Sequence, residues 1–214
     1  MARARTLVAL AALSTFLSLT AGCSMLSALS SGNGTIPAEC TLPAKARVLV
    51  FVDPRETAQM TPDQQLDVAD AIVKHLYKYK AADNFVSQQQ VVVLRSKYSD
   101  DDFRRIGVAA VARLTDADVV IHVDVTAYAL PQMSENQMAI GYARTLIKVV
   151  NRDGKRMFPD DTSTLGKEVD AEANFQLNDP GSPSPADQKL NDILALRIGR
   201  IFHEYDSDDR QMTK

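Results

Sequence analysis

Between Asp118 and Val150 apolar and polar residues alternate through two long stretches, 118–130 and 137–150, separated by the polar segment 131–136. A strand places successive side chains on opposite faces, so this period-two pattern predicts two strands that each bury one side. In the first, Val119, Ile121, Val123, Val125, Ala127 and Ala129 share a side, with His122, Asp124, Thr126 and Tyr128 opposite. In the second, Ala139, Gly141, Ala143, Ile147 and Val149 form the apolar side, with Tyr142, Arg144 and Lys148 opposite. Such a pair packs one face on a core and leaves the other at least partly wet. A hairpin centred near Ser134 would set Asp124 against Arg144 and Thr126 against Tyr142.

The remaining elements follow from runs, caps and turns. Val48-Leu49-Val50-Phe51-Val52 is a continuous β-branched and aromatic run suited to a buried strand that ends at Asp53-Pro54. Thr61-Pro62-Asp63-Gln64 reads as a helix start, followed by apolar residues at 66, 69, 72, 73 and 76. Val91 to Leu94 reads as a short strand, and Ser99 caps a helix with Phe103, Ile106, Ala110 and Leu114 as its stripe, Gly107 sitting awkwardly in its middle. Asn151-Arg152-Asp153-Gly154 is a hairpin signal before a strand at 155–158, and 167–177 is a weaker strand pattern. Ser184-Pro185 opens a last helix carrying Leu190, Ile193, Leu194, Ile198, Ile201 and Phe202. The expected fold is α/β (α+β): a two-layer sandwich with a mixed β-α-β-α-β-β-β sheet, helices mainly on one face, and a C-terminal helix. One domain is expected over 45–206, with a disordered tail at 207–214.

Chemistry is sparse. With 24 Lys and Arg against 27 Asp and Glu, the net charge of −3 offers no basic surplus for phosphates, so no nucleic-acid partner is expected. The three histidines and two cysteines show no HExxH or CxxC spacing, and no GxGxxG, Walker loop or GxSxG occurs, so neither a metal nor a cofactor is expected. Asp100-Asp101-Asp102 reads as carboxylates offsetting a helix dipole, and Asp160-Asp161 lacks the alternating ligands of a calcium loop. Two functional readings remain. In one, His122, Asp124, Thr126, Tyr128, Tyr142, Arg144 and Lys148 form a partner-binding face and no residue is catalytic. In the other, His122 and Asp124 do acid–base work in an enzyme. The plainest reading of an Asp124–Arg144 pair is a solvated cross-strand contact contributing under about 1 kcal/mol.

The N-terminus is an address. Arg3 and Arg5 are the only charged residues before Glu39, and an apolar run follows from Leu7 to Leu19. As a helix that run rises about 20 Å, short of the roughly 30 Å hydrocarbon core, which favours a secretory leader over a membrane anchor. It ends in Leu19-Thr20-Ala21-Gly22-Cys23, which resembles the lipobox of bacterial lipoproteins. The resemblance implies a signal peptide at 1–22, cleaved before Cys23, and acyl chains on the Cys23 sulfur that hold the protein to a membrane. Ser24 at the next position implies the outer membrane, with the body facing the periplasm. Residues 23–44, rich in Ser, Gly and Pro, then read as a lipidated end and flexible tether, with Cys40 an unpaired linker thiol.

The order of elements, with Ala69-Asp70-Ala71-Ile72, the 91–95 segment ending in Arg95, and Ala117-Asp118 entering a strand, resembles a superfamily of envelope proteins. It comprises the penicillin-binding-protein activators, the curli-secretion lipoprotein and the N-terminal domain of the Tol-system propeller protein. Asp116 stands where the superfamily has Gly, and its signals are those of a fold, so no functional residue is carried over. The lipobox-like segment, the tether and the lack of a catalytic constellation point to a non-enzymatic, lipid-anchored accessory module for another envelope protein; the alternatives are an envelope enzyme using His122 and Asp124, or a subunit of a transport or secretion complex.

Overall fold

The computed structural model describes residues 34–130, 138–161, 164–176 and 186–208. The leader and Cys23, the tether up to residue 33, the polar segment 131–136, the loop at 179–183 and the tail from 209 lie outside the described residues. The chain divides into a body, Pro37–Tyr205, and a small unit from the two ends, in which the Ser207 amide donates to the Gly34 carbonyl at 3.1 Å.

The body is a mixed α+β fold on a five-stranded sheet. Strand β1 (Val48–Pro54) lies parallel to β2 (Val119–Ala129), which runs antiparallel to β3 (Met138–Asn151). The far side of β3 is shared by β4 (Arg156–Phe158) and β5 (Lys167–Gln176). Between β1 and β2 run four helices: α1 (Pro62–Lys78), α2 (Gln88–Arg95), α3 (Asp100–Arg105) and α4 (Val108–Leu114); α5 (Ala186–Gly199) follows the sheet.

α1 starts as its sequence predicts. Thr61 and Gln64 form a reciprocal capping box with Pro62 in the first turn, and Val68, Ala69, Ile72 and Leu76 turn inward. With Leu190, Leu194 and Ile198 of α5, they cover the sheet face that presents Val50, Ile121, Val123, Ile147 and Ala171. Among the described residues the opposite face is covered at β1 and the adjoining end of β2, where Leu49, Phe51 and Val120 meet Val91, Leu94, Phe103 and Val111. Cover on both sides makes β1 a continuous apolar run; cover on one side makes β3 and β5 alternate. At the edge of the sheet, Arg197 and Lys189 of α5 donate to the Asp170 and Asn174 carbonyls of β5, at 2.7 and 2.9 Å.

Three expectations change. The 91–94 segment is helix rather than strand. Ser87 caps α2 by accepting from the Gln89 amide, and Val91 and Leu94 go inside while Val93 is 48% exposed, a helical spacing. The chain does touch the β1 edge just before, at Asn84–Val86, but for only one bridge before the cap turns it away. Burial decides the matter over the β preference of valine. The helix expected from Ser99 to Leu114 is two: Ile106 leaves the helical conformation, Gly107 becomes the N-cap of α4, and Leu114 is exposed. The tether also ends earlier than residue 44. Cys40 and Leu42 are buried in the core, and the Cys40 amide donates to the Ile201 carbonyl at 2.9 Å. Cys40 is thus a core thiol rather than a linker thiol, because an apolar Cys and Leu two residues apart find a shared face to cover.

The hairpin after β3 forms as expected. Asn151 Oδ1 accepts from the Asp153 and Lys155 amides, and Gly154 takes φ +87°, where a side chain would be strained.

Candidate functional site

The residues singled out from the sequence lie along β2 and β3, and the pairing register decides what each meets. Asp124 faces Leu146, and Arg144 faces Ala127, so Asp124 and Arg144 share a face but are not opposite each other. Likewise Tyr142 faces Ala129 rather than Thr126. The strands meet in a different register along their whole length, and a bulge between Val125 and Ala127 makes Thr126 an extra residue and reverses the parity beyond it. Tyr128 therefore turns into the core, 8% exposed, and donates its hydroxyl to Asn191 Oδ1 at 2.9 Å. Ala127 and Ala129 turn outward instead. Burial, followed by the charges of Asp187 and Asp67, pushes the Tyr128 phenol up to about 12, against the smaller opposing effect of Asn191.

Each charge then takes another partner. Arg55, just beyond β1, donates from Nε and Nη2 to the two carboxylate oxygens of Asp124 at 2.9 and 2.8 Å. Burial works to raise the Asp124 carboxyl, but the Arg55 hydrogen bond and charge, helped by His122 and Lys148, hold it below the usual carboxylate range. Arg144 meets Asp170, its register partner on β5, at 3.4 Å.

His122 is buried at 7% exposure and stacked on Phe51, with ring centroids 5.7 Å apart. Its Nε2 lies 3.2 Å from Asp53 Oδ2, so its carboxylate is Asp53 of β1 and not Asp124. Its Nδ1 is buried without a hydrogen-bond partner. A ring with one nitrogen held by a carboxylate and the other shut inside presents no free nitrogen to a reactant.

What remains open is the outer face of β3 and β5. Ile140 is 59% and Tyr142 46% exposed, beside Arg144, Lys148, Glu168, Asp170 and Glu172. The alternation of β3 shows Ile140 on the same side as Tyr142, and that parity is the signal that points to it. Of the seven residues expected on this face, Tyr142, Arg144, Lys148, Thr126 and Asp124 are there, while His122 is covered and Tyr128 is withdrawn.

The structure also joins residues that no spacing connects. His75 of α1 and His203 beyond α5 bring their Nε2 atoms to 3.1 Å, with Tyr79 stacked flat on His203 at 4.2 Å. The His203 Nδ1 lies 2.7 Å from the Glu204 carbonyl and donates to it. His203 Nε2 then accepts from His75 Nε2–H. Burial first, then the nearby His203, Lys78 and Arg200, push the His75 imidazole down to about 4. Among the described residues no group of three or more His, Cys, Asp or Glu is arranged to hold a metal ion.

No family model matches the chain, and no curated protein matches it in sequence. Solved structures do resemble this chain. The PelC dodecamer of Paraburkholderia phytofirmans is 10% identical, over 80% of this chain and 97% of that one, with a TM-score of 0.46. Lipoprotein GNA1162 of Neisseria meningitidis is 14% identical, over 65% and 88%, with a TM-score of 0.42. The LpoB C-terminal domain of Salmonella enterica is 14% identical, over 63% and 85%, with a TM-score of 0.35.

Proposed function

We propose that this chain is a lipid-anchored, non-enzymatic accessory module of the bacterial cell envelope that docks on another envelope protein through the outer face of β3 and β5. The observation that carries the docking is the exposed Ile140–Tyr142 pair on a part of the sheet face that no described helix covers, ringed by charges of both signs. Aromatic and apolar side chains within a polar rim are what a protein interface needs at its centre. The leader and the lipobox-like Cys23 support the anchoring, and Ser24 supports the outer membrane with the body in the periplasm. With one His122 nitrogen held by Asp53 and the other shut inside the protein, the ring favours binding over acid–base chemistry.

Two measurements test the reading. Labelled palmitate fed to cells is expected in the wild-type protein and absent from Cys23→Ser; equal labelling sinks the anchor. A photo-crosslinking residue at Tyr142 is expected to capture one defined envelope protein, while the same residue at Tyr77, also exposed, captures none. Equal capture at both positions, or none at Tyr142, overturns the docking face.

A further inference from the structure

Four consecutive residues at the end of α1 and just beyond it, Tyr77, Lys78, Tyr79 and Lys80, are all exposed, Tyr77 at 64% and Tyr79 at 42%. A helix completes a turn in 3.6 residues, so four in a row point in every direction, and their joint exposure means that this end stands clear of the body. The segments 71–82 and 193–203, which meet through His75, His203 and the Tyr79 ring, contain no Asp or Glu in a chain of net charge −3. Acidic residues resume at Asp83 and Glu204. Lys74, a turn back, borders a cleft lined by Asp67, Asp70 and Asp187, so it faces carboxylates of its own chain. Lys78 and Lys80 form no ion pair among the described residues, and Lys78 Nζ stands over the Tyr79 ring at 5.2 Å. A helix dipole favours lysine at a C-terminus, but it gives two tyrosines no reason to stay wet.

The tether joins the body at this same end. The body begins at Pro37, and the Cys40 amide is held by the Ile201 carbonyl at 2.9 Å. Ile201 is two residues, at most about 7 Å of chain, from His203, on which Tyr79 stacks. Tyrosine and lysine side by side suit a bilayer surface, where the ring lies at headgroup level and the ammonium meets anionic lipid. We propose that the end of α1 is a second membrane contact, with Tyr77 and Tyr79 seated in the headgroup layer of an anionic bilayer and Lys78 and Lys80 against its negative charges. The proposal rests on the anchored reading above. Each lysine near an anionic leaflet raises affinity about fivefold, too little for two of them to hold a chain from solution. A short tether supplies an effective concentration of about millimolar, so the weak contact becomes populated. The acidic excess on the rest of the chain disfavours other orientations.

The chain contains no Trp, so Tyr77→Trp places a single fluorescent reporter at the contact, and Tyr142→Trp places one on the sheet face that α1 and α5 do not cover. Each full chain is reconstituted into vesicles of brominated phosphatidylcholine, with and without phosphatidylglycerol. The reporter at 77 is expected to be quenched by the bromine when phosphatidylglycerol is present, and released without it or at 1 M salt, where the screening length is about 3 Å. The reporter at 142 is expected to stay unquenched in both. Lys78→Gln with Lys80→Gln is expected to shift the contact equilibrium about 25-fold toward release. In the wild-type chain, which needs no substitution, hydrogen exchange at 77–82 is expected to slow only on phosphatidylglycerol. No quenching at 77, equal quenching at 77 and 142, or indifference to lipid charge would each overturn the proposal, as would capture of a protein by a crosslinker at Tyr77. The mass of the same sample reports Cys23 acylation separately, and the uncleaved leader would also hold the chain on the vesicle, so the anchor and the contact fail independently.

Discussion

Gly199 closes α5 directly beneath the His75 ring, and a Cβ built on it would stand 2.0 Å from His75 Cδ2 and 2.5 Å from Nε2. In an ordinary helix the change Gly→Ala gains about 1 kcal/mol. Here the ring would have to retreat by roughly 1.5 Å to reach normal contact. It has little room: Tyr79 packs on it at 4.5 Å between centroids, and His203 holds its Nε2 at 3.1 Å. Overpacking of this kind costs about 1–3 kcal/mol, which outweighs the helical gain. We expect Gly199→Ala to lower stability by about 1–2 kcal/mol in urea denaturation, and the melting temperature by roughly 3–6 °C for a body of this size. The second half of the test removes the obstacle. In a His75→Ala background the same Gly199→Ala change should become neutral or stabilising, giving a coupling of about 1–3 kcal/mol in the double-mutant cycle. A Gly199→Ala protein as stable as wild type, or a cycle that is simply additive, would refute the packing argument.

Other outcomes follow from the same structure. The folded protein holds His75 near pKa 4 against 6.5 for a free imidazole, so between those values the unfolded chain binds more protons. Stability should therefore decline as pH falls from 6.5 to 4, by about 1–2 kcal/mol after allowing for screening at the partly exposed ring, and His75→Asn should flatten that slope. Tyr128→Phe leaves Asn191 Oδ1 buried without its donor and should cost about 1–3 kcal/mol in the same denaturation assay. Burial, and then the charge of Asp160, push the Cys40 thiol up to about 11. It should react with a thiol reagent at neutral pH only after denaturant is added, and prompt reaction in the native protein would show the segment at 37–44 to be detached.

Features set within a few residues of themselves were legible. The Thr61–Gln64 box, the Asn151–Gly154 turn and the alternation of β3 each depend on neighbours in the chain, and each forms as its residues imply. Two β-branched runs show where that reasoning stops. Val48–Val52 and Val91–Leu94 look alike in sequence, yet one is the buried strand β1 and the other lies in α2. A local run carries its preference but not its position, and the Ser87 cap together with burial of Val91 and Leu94 settles the second case.

The seven residues expected on one face divide for a related reason. Their alternation was readable, but the strand register sets Asp124 opposite Leu146 and a bulged residue at Thr126 sends Tyr128 inside, so Asp124 pairs with Arg55 and Arg144 with Asp170. The His75–His203 pair had no sequence signal, since its members are 128 residues apart. The amino-acid order thus determined which side chains are apolar, where α1 begins and where the 151–154 turn closes, because these depend on covalent neighbours. Tertiary structure decided which charges and rings meet, because short-range contacts depend on ångström-scale registry between segments that only packing brings together.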